Sequence, residues 1–303
     1  MRHFFRLHKP MNDKLKGALC GIISAMCYGI NPIGKLVYAD GISTNSLLFF
    51  RFFLAAIVFA IAITVTKGSF RVTRKESLVV VALGLLFSAS SMTLYYSFQH
   101  IATGVASTLL FLYPLLVAII MTLFFREKIS WRTLLAIVVA FLGIAVLNQG
   151  GDGTLNFIGG LLVFISALTY AVYIVILNRS LTNVSPLTLS FYVAICCASC
   201  NLIHAMIDPN IQFEILTAPK HLLVAVALAV FPTVVALSLL AVSVRKIGST
   251  PTAILGALEP LTAVLIGVVL YSEPFTFSLS IGILMILSSV LMVVLPKKKG
   301  DSE

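Results

Sequence analysis

Residues 45–66 read NSLLFFRFFLAAIVFAIAITVT and contain a single charged residue, Arg51. An α-helix rises 1.5 Å per residue, so about 20 apolar residues are enough to cross the roughly 30 Å hydrocarbon core of a bilayer. The apolar residues are continuous rather than alternating, which excludes a strand of a membrane barrel. This segment is therefore predicted to be a transmembrane helix.

Comparable apolar runs follow one another along the chain. Hydrophobic residues make up 59% of the sequence, charged residues only 11%, and the mean hydropathy is +1.07. About a quarter of the residues of a soluble globular protein are charged. The composition therefore predicts an all-α integral membrane protein. Its ten transmembrane helices are expected at approximately residues 17–36, 45–66, 77–98, 103–125, 132–148, 157–177, 187–207, 221–243, 250–271 and 277–295.

The basic residues are distributed unevenly between the predicted connections. The formal net charge is +10, and eighteen of the 21 lysines and arginines lie before the first span, after the tenth, or in the even-numbered connections. Lysine and arginine in short connections mark the cytoplasmic side of a membrane protein. A multi-pass protein of the plasma (inner) membrane is predicted, in contact with lipids and with no nucleic acid. Its basic N-terminal tail (1–16) and its C-terminal tail (296–303) are both expected to be cytoplasmic.

The two halves of the chain carry matching motifs. Residues 112–115 read Leu-Tyr-Pro-Leu, and residues 258–261, which lie 146 positions later, read Leu-Glu-Pro-Leu. At an offset of 142, Tyr28 matches Tyr170. The sequence therefore predicts two five-helix repeats, residues 17–148 and 157–295.

Five is an odd number, so the second repeat would enter the bilayer from the opposite side. Inverted repeats of this kind are typical of secondary transporters, whose substrates bind near the midplane between the repeats. The sequence contains no P-loop and no catalytic Ser/His/Asp arrangement, and its histidines are too scattered to indicate a metal site. A single chain that carries a small-molecule substrate, without enzymatic activity, cofactor or metal, is predicted.

The matched motifs resemble those of the drug/metabolite transporter superfamily, in the branch with paired EamA domains. That resemblance spans residues 15–296 and implies transport of amino acids, other metabolites or toxic compounds, with export favoured over uptake. The motifs that carry it are Phe50-Arg51-Phe52, Leu112-Tyr113-Pro114, Arg126-Glu127-Lys128-Ile129-Ser130, Leu258-Glu259-Pro260 and Ser272-Glu273-Pro274-Phe275-Thr276.

Glu259 is the principal candidate for a functional side chain, because it is an acidic residue well inside a predicted span. Ionisable residues at this depth usually face a bundle interior or a water-filled pathway. Glu259 is therefore expected to carry a proton or to bind a cationic group. The alternative is a structural role, as partner of Arg51 or of a backbone group that Pro260 leaves unpaired.

Arg51 lies near the outer end of the second span, and three roles are open for it. It binds a substrate carboxylate, extends to the lipid headgroups, or neutralises Glu259. Each role predicts a different environment for the guanidinium group.

Tyr113 occupies the position of Glu259 in the other repeat, so it either offers an aromatic face to an ammonium group or packs in the core. Tyr28 and Tyr170 are a second matched pair, and Asn31 precedes Pro32 at a predicted helix break. Pro114 and Pro260 are expected to break their helices in the same way. Ser88, Ser90, Ser91 and Thr93 either line the pathway or mediate helix contacts, and Tyr95 and Tyr96 are expected in the interfacial aromatic belt.

The function predicted from the sequence is secondary transport of small polar metabolites such as amino acids or amines, by alternating access. Coupling to protons is left open. The alternative is a membrane-embedded binding or sensory protein that has the transporter fold but no net flux.

Overall fold

The computed structural model describes residues 12–38, 40–101, 106, 109–127, 129–147, 156–180, 184–208, 213–271 and 277–294. Within these residues, every regular element of secondary structure is a helix. The elements are α1 (Asp13–Tyr28), a 3-10 helix (Asn31–Gly34), α2 (Lys35–Tyr38), α3 (Thr44–Val65), α4 (Arg74–Ser97), α5 (Tyr113–Phe125), α6 (Trp131–Leu147), α7 (Phe157–Ser180), α8 (Pro186–Ile207), α9 (Pro219–Ala229), a π-helical segment (Val230–Val235), α10 (Ala236–Ile247), α11 (Ser249–Leu255), α12 (Leu258–Tyr271) and α13 (Phe277–Val294).

Six of the ten predicted spans are helical stretches long and apolar enough to cross a membrane by length and composition. Three of the other four predicted spans contain shorter apolar helices, and the fourth is divided into α11 and α12, so the total of ten stays a prediction. The predicted tails, apart from residues 12–16, lie outside the described residues, as does Glu273. The six long stretches are Asp13–Gly34, Thr44–Val65, Arg74–Ser97, Phe157–Arg179, Pro186–Ile207 and Pro219–Ile247.

The predicted span 250–271 is not one continuous helix. It consists of α11 and α12, which a turn at Gly256 and Ala257 separates. Pro260 has no backbone N–H and so leaves the Gly256 carbonyl without the partner that an uninterrupted helix would supply. The backbone N–H of Glu259 donates to that carbonyl instead, over 2.9 Å. Glu259 therefore lies in the first turn of α12 rather than in the middle of a helix.

A second proline reshapes the helix formed by α9 and α10. Pro232 lies in the π-helical segment between them, and because it lacks an N–H it cannot bond the Leu228 carbonyl four residues earlier. The hydroxyl of Thr233 donates to that carbonyl over 2.9 Å. The segment thus places the Thr233 oxygen and the Pro232 carbonyl beside α3, which packs against the same segment.

The main helix contacts join one half of the chain to the other. Helix α1 packs against α10, α3 against α8, α4 against α7, and α6 against α13. Apolar side chains are exposed on the outer faces in numbers that a water-soluble monomer rarely shows, among them Leu123, Phe124, Trp131 and Phe157. These faces suit a hydrocarbon environment, and the polar residues described below lie between the helices.

Candidate functional site

A cavity of about 40 Å³ lies between α1, α3, α4, α7 and α12. A buried water needs roughly 10–15 Å³ of such space, so the cavity holds a few waters, and a metabolite enters only if side chains move. It is lined by Tyr28, Asn31, Arg51, Phe87, Ser90, Ser91, Leu94, Tyr95, Leu110, Tyr170 and Glu259.

Arg51 is buried, with 2% of its surface exposed, and its hydrogen bonds are made to neutral groups. Its Nε donates to the Thr233 hydroxyl over 2.8 Å, and its Nη1 donates to Asn31 Oδ1 over 2.8 Å and to the Tyr95 hydroxyl over 2.9 Å. Its Nη2 lies 3.4 Å from the Pro232 carbonyl. The guanidinium thus joins α3 to α4, to the 3-10 helix and to the π-helical segment.

The Glu259 carboxylate is half-buried and makes no hydrogen bond or ion pair with any residue in the described part of the chain. Its position in the first turn of α12 favours negative charge, because the helix dipole is positive there. Glu259 and Arg51 interact electrostatically across the cavity. The site therefore holds one carboxylate and one guanidinium, neither of which has an ionic partner among the described residues.

Aromatic rings form the wall of the cavity around Tyr170. Its ring lies 6.3 Å from that of Tyr28, 4.9 Å from that of Tyr113 and 6.2 Å from that of Phe87, each edge to face, and it stacks on Tyr173 at 6.1 Å. The Tyr28 hydroxyl is buried and has no hydrogen-bond partner of ordinary geometry within the described ranges. Such rings offer electron-rich faces and one unused polar group to a ligand.

The model of the EamA-like transporter family matches residues 15–149 and again residues 157–295. The chain belongs to the EamA-like transporter family. It is a membrane transporter, and the family predicted from its motifs is confirmed.

This EamA-like transporter is similar to several named proteins. The uncharacterized transporter YetK of Bacillus subtilis is 27% identical over 264 residues, which are 83% of this chain and 78% of YetK. The S-adenosylmethionine uptake transporter of Rickettsia prowazekii is 28% identical over 202 residues, 65% of this chain and 67% of its own. A solved crystal structure that is 18% identical shares the fold with a TM-score of 0.78, over 92% of this chain and 98% of that chain.

Five of the six side chains predicted for the binding or coupling site of this EamA-like transporter line this cavity: Tyr28, Asn31, Arg51, Tyr170 and Glu259. The sixth, Tyr113, is buried behind Tyr170 and places its hydroxyl against Gly256. Pro114 and Pro260 lie in the first turns of α5 and α12, and Pro32 lies in the 3-10 helix.

The environment of Arg51 argues against one of its three predicted roles and restricts another. Its burial and its interior hydrogen bonds are wrong for a side chain that extends to headgroups. No ion pair joins it to Glu259 within the described ranges, so it does not neutralise that residue by direct contact. Binding of a substrate carboxylate stays open, as does neutralisation of Glu259 across the cavity.

Two hydrogen-bond partners of Arg51, Tyr95 and Thr233, could not be placed beside it from the sequence. Tyr95, expected in the interfacial belt, is instead 2% exposed and bonded to Arg51. Thr233 was not singled out, although Pro232 beside it inside an apolar run was a signal of local distortion. Ser90 and Ser91 line the cavity, and Ser90 also bonds Ser166 of α7, so it serves in a helix contact as well.

Proposed function

We propose that this EamA-like transporter carries small polar metabolites by alternating access, and in particular amino acids and related compounds that carry both an ammonium group and a carboxylate. The observation that carries the proposal is the pair of unlike charges in one cavity, Arg51 and Glu259, neither of which forms an ion pair with a residue that the structure describes. A substrate with a carboxylate and an ammonium group supplies both missing partners. A charge inside a membrane protein is costly when no opposite charge lies in contact with it, so these two residues favour such a ligand.

The aromatic wall suits the cationic end of the substrate. Tyr28 and Tyr170 lie beside Glu259 in the cavity, and aromatic faces attract ammonium and other onium groups. The relative from Rickettsia prowazekii is named for S-adenosylmethionine, a molecule that has an amino-acid end and a sulfonium. This supports a substrate of the amino-acid type and adds methylated onium compounds to the candidates.

Equivalent hydrogen bonds in the two halves support the inverted repeat on which alternating access would depend. Ser24 of α1 donates to the Ala236 carbonyl over 2.8 Å, and Ser166 of α7 donates to the Ser90 carbonyl over 2.8 Å. Ser166 lies 142 positions after Ser24, and Ala236 lies 146 positions after Ser90, which are the offsets of the sequence motifs. The same interaction therefore occurs once between α1 and α10 and once between α7 and α4.

Helix starts repeat in the same manner. Ser43 caps α3 and its hydroxyl lies 2.8 Å from that of Ser46, while Ser185 caps α8 and lies 2.8 Å from the hydroxyl of Thr188. Both residues of the second pair are 142 positions after those of the first.

The proposed repeat units are residues 17–148 and 157–295. One chain would form the whole transport pathway, with both termini at the cytoplasmic face of the plasma membrane.

Glu259 is proposed to carry the coupling proton as well as to attract the cationic group. A carboxylate that binds either a proton or an ammonium group links the proton flux to the substrate flux, because it cannot bind both at once.

The direction of transport is a separate question. The resemblance to the drug/metabolite transporter superfamily favours export, whereas the Rickettsia prowazekii relative is named for uptake. Vesicles of both orientations, each with the pH gradient imposed in either direction, measure which direction the proton gradient drives.

The experiment is transport by the purified chain in liposomes, with S-adenosylmethionine and the twenty amino acids as substrates. Glu259→Gln keeps the size of the side chain and removes its charge, so it should lower the rate more than tenfold and abolish stimulation by a pH gradient. Glu127→Gln, at an exposed position after α5, is the matched control and should transport normally. Normal rate and normal pH stimulation in Glu259→Gln would contradict the proposal, and binding without flux in the unaltered protein would favour a sensory role.

A further inference from the structure

Two hydrogen-bond donors converge on a single oxygen at the polar end of the cavity. Arg51 Nη1 lies 2.8 Å from Asn31 Oδ1, and the Tyr95 hydroxyl lies 3.1 Å from the same atom. Arginine has donors and no acceptor, so the Asn31 atom that faces it must be the amide oxygen. An arginine and a tyrosine hydroxyl that converge on one oxygen also suit an oxygen of a carboxylate.

We propose that Arg51 and Tyr95 form a carboxylate subsite and that Asn31 is its resident occupant until the substrate carboxylate displaces it. This inference rests on the proposed function, since it assigns the anionic end of the substrate to one pair of donors. The amide oxygen of Asn31 is a neutral stand-in for the carboxylate. A charged acceptor makes hydrogen bonds roughly twice as strong, so the substrate carboxylate replaces Asn31 while a neutral amide or ester does not.

The remaining bonds of Arg51 keep the subsite in place when Asn31 leaves. Nε stays bonded to Thr233 and Nη2 stays near the Pro232 carbonyl, both on the π-helical segment. The guanidinium also lies 5.8 Å from the centre of the Tyr95 ring, so the two donors support each other. Displacement of Asn31 therefore frees an N–H and an O–H whose orientation is already set, which lowers the cost of binding.

Asn31 also connects the subsite to the backbone. It is the first residue of the 3-10 helix between α1 and α2, and this helix packs against α9 and α12. Release of its side chain by a carboxylate removes the two hydrogen bonds that join Asn31 to Arg51 of α3 and to Tyr95 of α4. Occupancy of the subsite is thereby linked to the freedom of the segment that follows α1.

The subsite is tested without any substrate by placing a carboxylate in it. Asn31→Asp should raise the Tm of the purified protein by about 2–4 °C, since a neutral acceptor of Arg51 becomes a charged one. In an Arg51→Gln background the same change should give no increase. Asn178→Asp is the matched control, because Asn178 bonds Ser249 outside the cavity, and its Tm should not rise. Equal effects of Asn31→Asp with and without Arg51, or a lower Tm with Arg51 present, would overturn the subsite.

Transport assays then test the displacement of Asn31. Asn31→Ala should lower the KM for S-adenosylmethionine, or for the amino acid transported best, about two- to tenfold, because the amide oxygen that competes for Arg51 and Tyr95 is gone. The KM for the methyl ester of that compound should not fall. An unchanged KM for the carboxylate form would contradict displacement. If the unaltered protein transports no zwitterion but the Tm results hold, the proposed function fails and the carboxylate subsite stands.

Discussion

Arg51 and Glu259 line the same cavity, and no ion pair joins them anywhere in the described structure. Arg51 is satisfied by the neutral oxygens of Asn31, Thr233 and Tyr95, and the Glu259 carboxylate is favoured by the N-terminus of α12. A direct pair would cancel both charges and leave little for a substrate to bind. Separation keeps both charges available for unlike groups on one molecule.

Replacement of Arg51 should affect stability and transport together. Lysine keeps the charge but has no planar fork, so Arg51→Lys cannot bond Thr233 and Asn31 in the present geometry. We expect a fall in Tm of about 3–10 °C and at least a tenfold loss of zwitterion transport. Arg179→Lys is the control, because Arg179 lies over the Phe125 ring at the exposed end of α7. A normal Tm and KM in Arg51→Lys would show that the fork is dispensable.

Gly256 leaves the space that the Tyr113 hydroxyl occupies. A Cβ atom at position 256 would overlap the Tyr113 oxygen and lie 2.8 Å from its Cζ atom. We therefore expect Gly256→Ala to lower the Tm markedly and to reduce transport, because Tyr113 would have to shift toward Tyr170. Adding Tyr113→Phe should recover part of the loss, since the overlapping oxygen is then absent.

Gly160 provides the matched control for this pair. It lies in α7, and a Cβ at position 160 meets no atom within 4 Å. Gly160→Ala should leave the Tm unchanged or raise it slightly, as alanine favours a helix more than glycine does. If Gly256→Ala is as benign as Gly160→Ala, the close approach of Tyr113 is not a constraint on the fold.

Asp40 should give the protein a small pH-dependent stability. It lies between α2 and α3, outside the long apolar helices, and accepts from Lys220 and His221, each over 2.8 Å. The hydrogen bond from Lys220, followed by that from His221, lowers the pKa of Asp40 from its ordinary value of 3.8. A carboxyl whose pKa is lower in the folded protein stabilises the fold above the unfolded pKa and ceases to do so as the pH falls through the folded one.

The corresponding measurement compares the Tm of the unaltered protein and of Asp40→Asn. The variant should melt lower by no more than about 2 °C at pH 7, since the pair is exposed and screened by solvent. The difference should shrink as the pH falls below 3.8 and disappear once Asp40 is protonated in the folded protein too, because both proteins then carry an uncharged side chain at this position. A difference that persists or grows in acid would mean that another group causes it.

The membrane orientation is tested with tags. Eighteen basic residues on one side predict that tags at both termini are cytoplasmic and that a probe within residues 150–154 is external. Protease protection in sealed vesicles, with lysed vesicles as the control, measures each position. Termini on opposite sides of the membrane would contradict both the ten-span arrangement and the inverted repeat.

Some residues of the candidate site could be predicted, because a charge in an apolar segment and a match between the two halves of the chain are both visible in the sequence. An acid or an arginine within an apolar run is expensive in a membrane, so Glu259 and Arg51 are conspicuous in the sequence itself. Tyr28 and Tyr170 occupy matched positions, and they do lie against one another. The partners of Arg51 could not be predicted, since hydropathy does not report which face of a helix a tyrosine or a threonine occupies.

The sequence by itself determined the helical membrane class, the family and the identity of the two charged residues of the cavity. A bilayer requires long apolar helices, and that requirement is local enough to be visible in any window of about 20 residues. Only the tertiary structure decided that Tyr95 and Thr233 are hydrogen-bond partners of Arg51, the latter through the helix distortion at Pro232. Only the tertiary structure likewise showed that Glu259 lies in the first turn of a separate helix. Those relationships depend on side chains from helices far apart in the chain, and packing between helices sets them rather than any local pattern.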